Sequence, residues 1–196
     1  MVAEQGKVRK RKVAWGITGA GDKISEFIEV MKEIQKEYAD IVEIQVFLSK
    51  AADLVLKYYK LEEELKQNFS KVRVELNSNA PFLAAWMQMR KYEFLLIAPS
   101  TSNTVAKIAN GIGDTMLTNA TIMSLKAFAP VYIAPTDYKE GIVYTKLPNS
   151  REMKLRIRKE EVRQVKKIAL MDGIFIVEGP QRIHDVFKKW FGKTIA

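Results

Sequence analysis

Six consecutive residues, Pro99-Ser100-Thr101-Ser102-Asn103-Thr104, place four side-chain hydroxyls and one carboxamide in a single short segment. Such groups are directional and uncharged, so they suit a flat heterocycle with carbonyls and ring nitrogens better than an ion. The same residues could equally form a capped Ser/Thr turn at the head of a helix. A second segment, Gly16-Ile17-Thr18-Gly19-Ala20-Gly21, combines small side chains with accessible amides, an arrangement that lets a phosphate approach a helix N-terminus. Its glycines miss the Gly-x-Gly-x-x-Gly spacing of dinucleotide sites, and no Lys-Ser/Thr follows as in a P-loop. Asp22 beside it could cap a helix, but its carboxylate would repel a neighbouring phosphate. In Leu48-Ser49-Lys50-Ala51-Ala52 the serine reads as an N-cap whose hydroxyl could also serve a phosphate oxygen.

These segments depend on the elements that carry them. Residues 13–17 form a short apolar run, and Ile24, Phe27, Ile28, Met31 and Ile34 then recur at helical spacing. The pattern predicts strand, turn and helix. Residues 41–48 predict a second strand, 51 to about 66 a helix and 71–76 a third strand, with Pro81 suited to a first helical turn. Residues 94–98 are continuously apolar and bounded by Pro99, as expected of a strand covered on both faces. Further helices are expected after Thr104 and over 114–127, a strand over 131–134, a helix near 159–171, a strand over 174–177 and an amphipathic helix over 180–191. Strands alternating with helices indicate an open parallel sheet with helices on both faces, a three-layer αβα architecture of the Rossmann-like (flavodoxin-like) class. Ligands of such sheets bind beyond the carboxyl ends of the strands, which singles out the loops after Ile17, Leu48, Ala98 and Ala134.

The 196 residues, 47% hydrophobic and 28% charged, suit one domain with a sizeable core, read as a core of about 13–135 and a basic helix-strand-helix extension of about 150–196. The absence of cysteine excludes disulfides, thiolate metal sites and a cysteine nucleophile, and with His184 as the one histidine no metal site is expected. The net charge of +9 is concentrated. Residues 1–12 carry a net +4, read as a frayed tail, and residues 151–167 a net +5, which together account for the whole excess. Such a patch either forms a solvated helix face that serves solubility or steers an acidic partner, be it nucleic acid, an anionic membrane or a protein. No apolar stretch is long enough to span a membrane and no signal-peptide block follows the basic start, so a cytoplasmic protein is expected.

The stretch from Ala98 to Asn119, with Pro99-Ser100-Thr101-Ser102-Asn103-Thr104 at its head, resembles the Pro-x-Ser-x-Asn-Thr block of the FMN-binding cysteine decarboxylase flavoproteins. Gly19-Ala20-Gly21 and Ser49-Lys50-Ala51-Ala52 resemble that family's other FMN-contact segments, in the same order. The resemblance spans about 13–135 and is nearest to the archaeal branch of archaeoflavoproteins and dihydromethanopterin reductase-like proteins. It implies FMN, with the phosphate on the amides of Gly19, Ala20 and Gly21 and the hydroxyl of Ser49, and with the ring and ribityl chain against Thr101, Ser102, Asn103 and Thr104. It also implies a homotrimer or a multiple of it. Gly21 stands where a serine is common in the family, removing one donor to the phosphate.

The family's decarboxylases use a histidine on the helix before the Pro-x-Ser-x-Asn-Thr strand and a cysteine in a later flap. Here that helix reads Ala84-Ala85-Trp86-Met87-Gln88-Met89, the chain has no cysteine, and Pro135-Thr136-Asp137 replaces the family's Pro-x-Met-Asn. Aminoalkenethiol-forming decarboxylation is therefore disfavoured. The leading expectation is a redox flavoprotein, carrier or reductase, that takes electrons from a small acidic carrier such as ferredoxin and passes them on, with a pterin as one acceptor. A non-redox FMN enzyme, prenyltransferase-like or a divergent decarboxylase, and a flavin-free nucleotide- or nucleic-acid-binding module are the alternatives, nucleic acid being the least favoured. Trp86, Met87 and Met89, and with them Tyr58, Tyr59 and Trp15, could cover a flavin but at helical spacing read first as core, and His184 carries no expected catalytic role.

Overall fold

The computed structural model describes residues 9–192. Its first half runs β1 (Arg11–Ile17), α1 (Ile24–Glu37), β2 (Val42–Leu48), α2 (Lys50–Tyr58), α3 (Glu62–Asn68), β3 (Val72–Val74) and α4 (Leu83–Gln88). Its second half runs β4 (Leu95–Ser100), α5 (Ser102–Ala109), α6 (Met116–Lys126), β5 (Val131–Pro135), β6 (Gly141–Lys146), β7 (Glu152–Ile157), α7 (Lys159–Ala169), β8 (Ile174–Ile176) and α8 (Ile183–Phe191). Six strands form one parallel sheet in the order β3-β2-β1-β4-β5-β8, and β6 and β7 pair antiparallel as a separate ribbon.

Side chains on a strand alternate between faces, so a strand buried on both sides must be apolar at every position. β1 follows this rule. Val13, Trp15 and Ile17 enter one core with α1, α2, α3 and α8, while Ala14 enters the other with α4, α5, α6 and α7. β4 divides the same way, Leu96 and Ala98 on the first face and Leu95 and Ile97 on the second. The sheet grows outward from β1 in one direction and from β4 in the other, so these neighbours flank a topological switch point, where the loops diverge and leave a crevice.

Several sequence expectations shift. β1 starts at Arg11, inside the run read as a frayed tail: its guanidinium pairs with Glu93 at 3.0 Å and lies 4.6 Å from the centre of the Phe191 ring. Lys7 and the residues before it lie outside the described residues. The helix expected over 51–66 is two helices. Lys60 adopts a left-handed conformation (φ 59°) and the Leu61 amide reaches back to the Leu56 carbonyl at 2.9 Å, a Schellman-type stop built without glycine. The ribbon β6–β7 was not anticipated, because its apolar residues alternate with Lys and Arg and a two-stranded ribbon carries little periodic signal. The segment beyond 150 supplies β7 to that ribbon and β8 to the main sheet, where Val131, Tyr132 and Ile133 pair with Ile174, Phe175 and Ile176.

Candidate functional site

The crevice between β1 and β4 is held by one threonine. The Thr18 hydroxyl donates to the Pro99 carbonyl at 2.9 Å and accepts from the Thr101 amide at 2.8 Å, while the Thr18 amide reaches the same carbonyl at 3.2 Å. The glycine loop and the hydroxyl segment, 83 residues apart, thereby become one rigid floor. Three helices point their N-termini at it. Ser49 caps α2 by accepting from the Ala52 amide at 3.0 Å, Thr101 caps α5 through the Thr104 amide, and Thr115 caps α6 in a reciprocal box with Thr118. Buried Glu75, beyond β3, joins two of these ends: its carboxylate accepts from the Lys50 amide of α2 at 3.3 Å and the Met116 amide of α6 at 2.7 Å. Helix α1 differs in having no side-chain cap: Lys23, at its N-cap, is left-handed (φ 54°), and Asp22 does not take the role considered for it.

Two cavities meet on this floor and share Thr101 and Asn103. The larger, about 590 Å³, is lined by Gly19, Ser49, Thr101, Asn103 and Thr104 together with Thr18, Glu75, Asp114 and Thr115. The smaller, about 350 Å³, is lined by Ala20, Gly21, Thr101, Ser102 and Asn103, with Asp22, Tyr59, Thr136 and Asp137 on its sides and Val143, Thr145, Met153 and Leu155 of the ribbon above. All eight residues singled out in the sequence therefore border one space or the other, and the volumes lie in the range of small-molecule sites.

The geometry sharpens the part each residue can play. A Cβ on Gly19 would stand 2.6 Å from the Ala51 Cβ, so glycine here lets α2 pack onto the loop. Ala20 turns its amide onto the Thr18 carbonyl at 2.8 Å, and among the described residues the amides of Gly19 and Gly21 have no acceptor. At Gly21 a Cβ would stand 2.6 Å from the Tyr59 hydroxyl, so the tyrosine fills the space a serine side chain would take. Burial, with Tyr58 and Asp22 nearby, pushes that phenol up and keeps it neutral. The Ser102 hydroxyl donates to the Asp137 carboxylate, tying α5 to the loop after β5. Ser100, at the end of β4, is fully buried, and its hydroxyl has no hydrogen-bond partner among the described residues.

The Flavoprotein family model matches residues 1–183. The chain belongs to the Flavoprotein family. An uncharacterized protein of the archaeon Methanocaldococcus jannaschii is 44% identical over 178 residues, covering 91% of this chain and 95% of that one. A dihydromethanopterin reductase (acceptor) of the same organism is 37% identical over 150 residues, 73% of this chain; the match spans 60% of the reductase's own length. Among solved structures, Burkholderia xenovorans DmrB in complex with FMN, described as a cubic protein cage for redox transfer, superposes with a TM-score of 0.77 at 28% identity, covering 93% of this chain and 96% of that one.

Within this flavoprotein, residues that the sequence left aside complete the walls. Tyr59 was read as core; it packs against the core and also faces the smaller cavity. Tyr58 and Met89, also read as core, are exposed, whereas Trp15 and Met87 are buried as expected and Trp86 sits edge-on to Phe47 with the Arg73 guanidinium 5.3 Å from its ring centre. Glu75 and Asp137 gave no local signal, since each acts on partners more than 20 residues away. His184 lies on α8, 3.2 Å from Glu33, and lines neither cavity. The basic cluster is divided: Lys154 and Arg156 stand on the ribbon, Lys159, Arg163, Lys166 and Lys167 on α7, all exposed, while Arg158 is paired with Glu161. No helix among the described residues is long and apolar enough to cross a membrane.

Proposed function

We propose that this chain binds FMN in the crevice between β1 and β4 and acts as a redox flavoprotein that takes electrons from a small acidic carrier such as ferredoxin and passes them to a pterin. The observation that carries the reading is the convergence of eight dispersed residues on one floor lined mainly by hydroxyls, amides and glycine. The amide of Gly19 and the Ser49 hydroxyl, both on the larger cavity, would hold the phosphate; Thr101, Asn103 and Thr104 would hold the ribityl chain and ring. The orphaned Ser100 hydroxyl, beside that ledge in sequence, fits a polar group missing from the protein alone. FMN, when bound, supplies the electron or hydride chemistry, and the protein supplies position and electrostatics.

Each residue then has a physical task. Thr18 locks the two loops so that phosphate and ring contacts keep a constant separation. Glu75 braces the N-termini of α2 and α6 and keeps the larger cavity from collapsing or widening. The exposed cations of the ribbon and α7 steer an acidic donor toward the crevice edge. Exposed apolar side chains such as Phe82, Phe128 and Leu170 support assembly into a homotrimer or a multiple of it, in keeping with the cage formed by the Burkholderia relative.

The test is spectroscopic. Purified protein should take up FMN in a 1:1 ratio at micromolar concentration, lose its visible flavin absorbance on addition of reduced ferredoxin, and regain it on addition of an oxidised pterin acceptor. Protein that stays colourless with micromolar FMN would refute the flavin reading; a flavin that turns over substrate with no change in its oxidation state would refute the redox reading.

A further inference from the structure

Resting on the redox reading above, we propose that the smaller cavity is the site of the second reactant and that Asp137 selects it by the donor edge of an amino-oxo-pyrimidine ring. The cavity has two unlike halves. Above, the ribbon register sets Val143 opposite Leu155 and Thr145 opposite Met153, which places these four side chains on one face. Leu155 and Met153 remain 42% and 38% exposed, an apolar surface that the ribbon cannot bury by itself and that a flat ring would cover. Below lies the polar end, where the Asp137 carboxylate accepts from the Ser102 hydroxyl.

That hydrogen bond has two consequences. It directs the Ser102 proton to the aspartate, so Ser102 acts as a positioning residue for Asp137. It also engages only Oδ2 and leaves Oδ1, on a residue that lines the cavity, with no partner among the described residues and so available as an acceptor. Asp22 lines the same space, and none of its described lining side chains is cationic. A carboxylate- or phosphate-bearing ligand would therefore meet repulsion, whereas adjacent N–H donors would meet a carboxylate able to accept two bonds in parallel. The ring N–H and exocyclic amine of a 2-amino-4-oxo-pyrimidine, as in a pterin, form such a pair. The flavin's own pyrimidine edge sets one N–H between two carbonyls, and those carbonyls would face the aspartate oxygens. The donor pattern thus separates the two rings between the two cavities, with Thr101 and Asn103 as the shared wall.

The decisive measurement compares two neutral probes that differ in one group, 6-methylpterin and 6-methyllumazine, in which an oxo group replaces the 2-amino group. Each is titrated into the full-length protein and followed by its own fluorescence, with FMN uptake measured separately. The wild type should bind the pterin about 10–100-fold more tightly than the lumazine, the scale expected for hydrogen bonds to a charged group. Asp137→Asn, which keeps the shape, and Asp137→Ala should each remove that preference while the thermal transition is retained. Ser102→Ala should narrow it. Equal binding of the two probes by the wild type, or an unchanged preference in both Asp137 variants, would overturn the assignment. Failure to take up FMN would sink the flavin reading alone, because the probe preference is read without it.

Discussion

The larger cavity is walled by the ends of parallel strands and by three capped helices, whereas the smaller takes its roof from a two-stranded ribbon that belongs to no larger sheet. In the first, bonds that cross the fold brace the walls: Thr18 to Pro99 and Thr101, Glu75 to the heads of α2 and α6. In the second, the roof includes Met153 and Leu155, apolar side chains that remain exposed. A group that stays bound needs a preformed pocket, and a molecule that must enter and leave needs a wall that can move aside. The contrast in construction thus matches a division between resident cofactor and passing reactant.

The strongest way to break this comparison is at Glu75. Glu75→Ala leaves two helix-end amides, the buried one of Met116 and the partly buried one of Lys50, without an acceptor and should cost about 2–3 kcal/mol, read as a fall in the urea midpoint, together with a large loss of FMN affinity. If the variant is as stable as the wild type, the larger cavity is not braced as described. Gly19→Ala comes next. Its new methyl must displace α2 at Ala51 and should cost about 1–3 kcal/mol while weakening FMN binding about tenfold. Thr18→Val, which preserves volume and removes both side-chain bonds between the loops, should cost about 1–2 kcal/mol with a smaller loss of cofactor.

On the ribbon the effects should fall on function and spare stability. Leu155→Lys should change stability by less than about 0.5 kcal/mol yet raise KM for the second reactant several-fold at unchanged FMN content; a stability loss as large as that of Gly19→Ala would erase the distinction between the two walls. Reversing Lys154 and Arg156 to Glu should slow reduction by ferredoxin about tenfold at low salt and flatten its salt dependence, with stability unaffected. The smallest effect lies away from both cavities. Burial pushes the Tyr92 phenol up to about 12, and its hydroxyl donates to Gln45 at 2.8 Å. The folded state thus favours the neutral form, so this contribution is complete below pH about 10 and is lost as pH rises from about 10 to about 12. Tyr92→Phe should shallow the alkaline fall in Tm over that window.

Much of the fold and floor could be read locally. Residues 94–98 announced a strand buried on both faces because every position was apolar, and the hydroxyls of 99–104 could be placed at its carboxyl end for the same reason. Ser49 was recognisable as a cap because capping needs only the three residues that follow. The walls were harder. Gly19 looked like room for a phosphate, and its tighter constraint, the approach of Ala51, comes from another helix. Tyr59 followed the apolar period of a helix, and only the stop at Lys60 and the packing of α2 turn it toward Gly21. The ribbon escaped detection because its register depends on pairing across a turn.

By itself the sequence determined the parallel alternation, the neutral ledge, the absence of thiol chemistry and the location of the excess charge, all of which follow from residue type and short-range period. Tertiary structure decided which ledge residues face which cavity, that Ser102 serves Asp137, that Glu75 braces two helices and that an apolar ribbon covers the smaller space. The physical reason is one of range: propensity and capping act over a few residues, whereas a cavity is bounded by groups from distant parts of the chain, brought together only when the sheet closes its core.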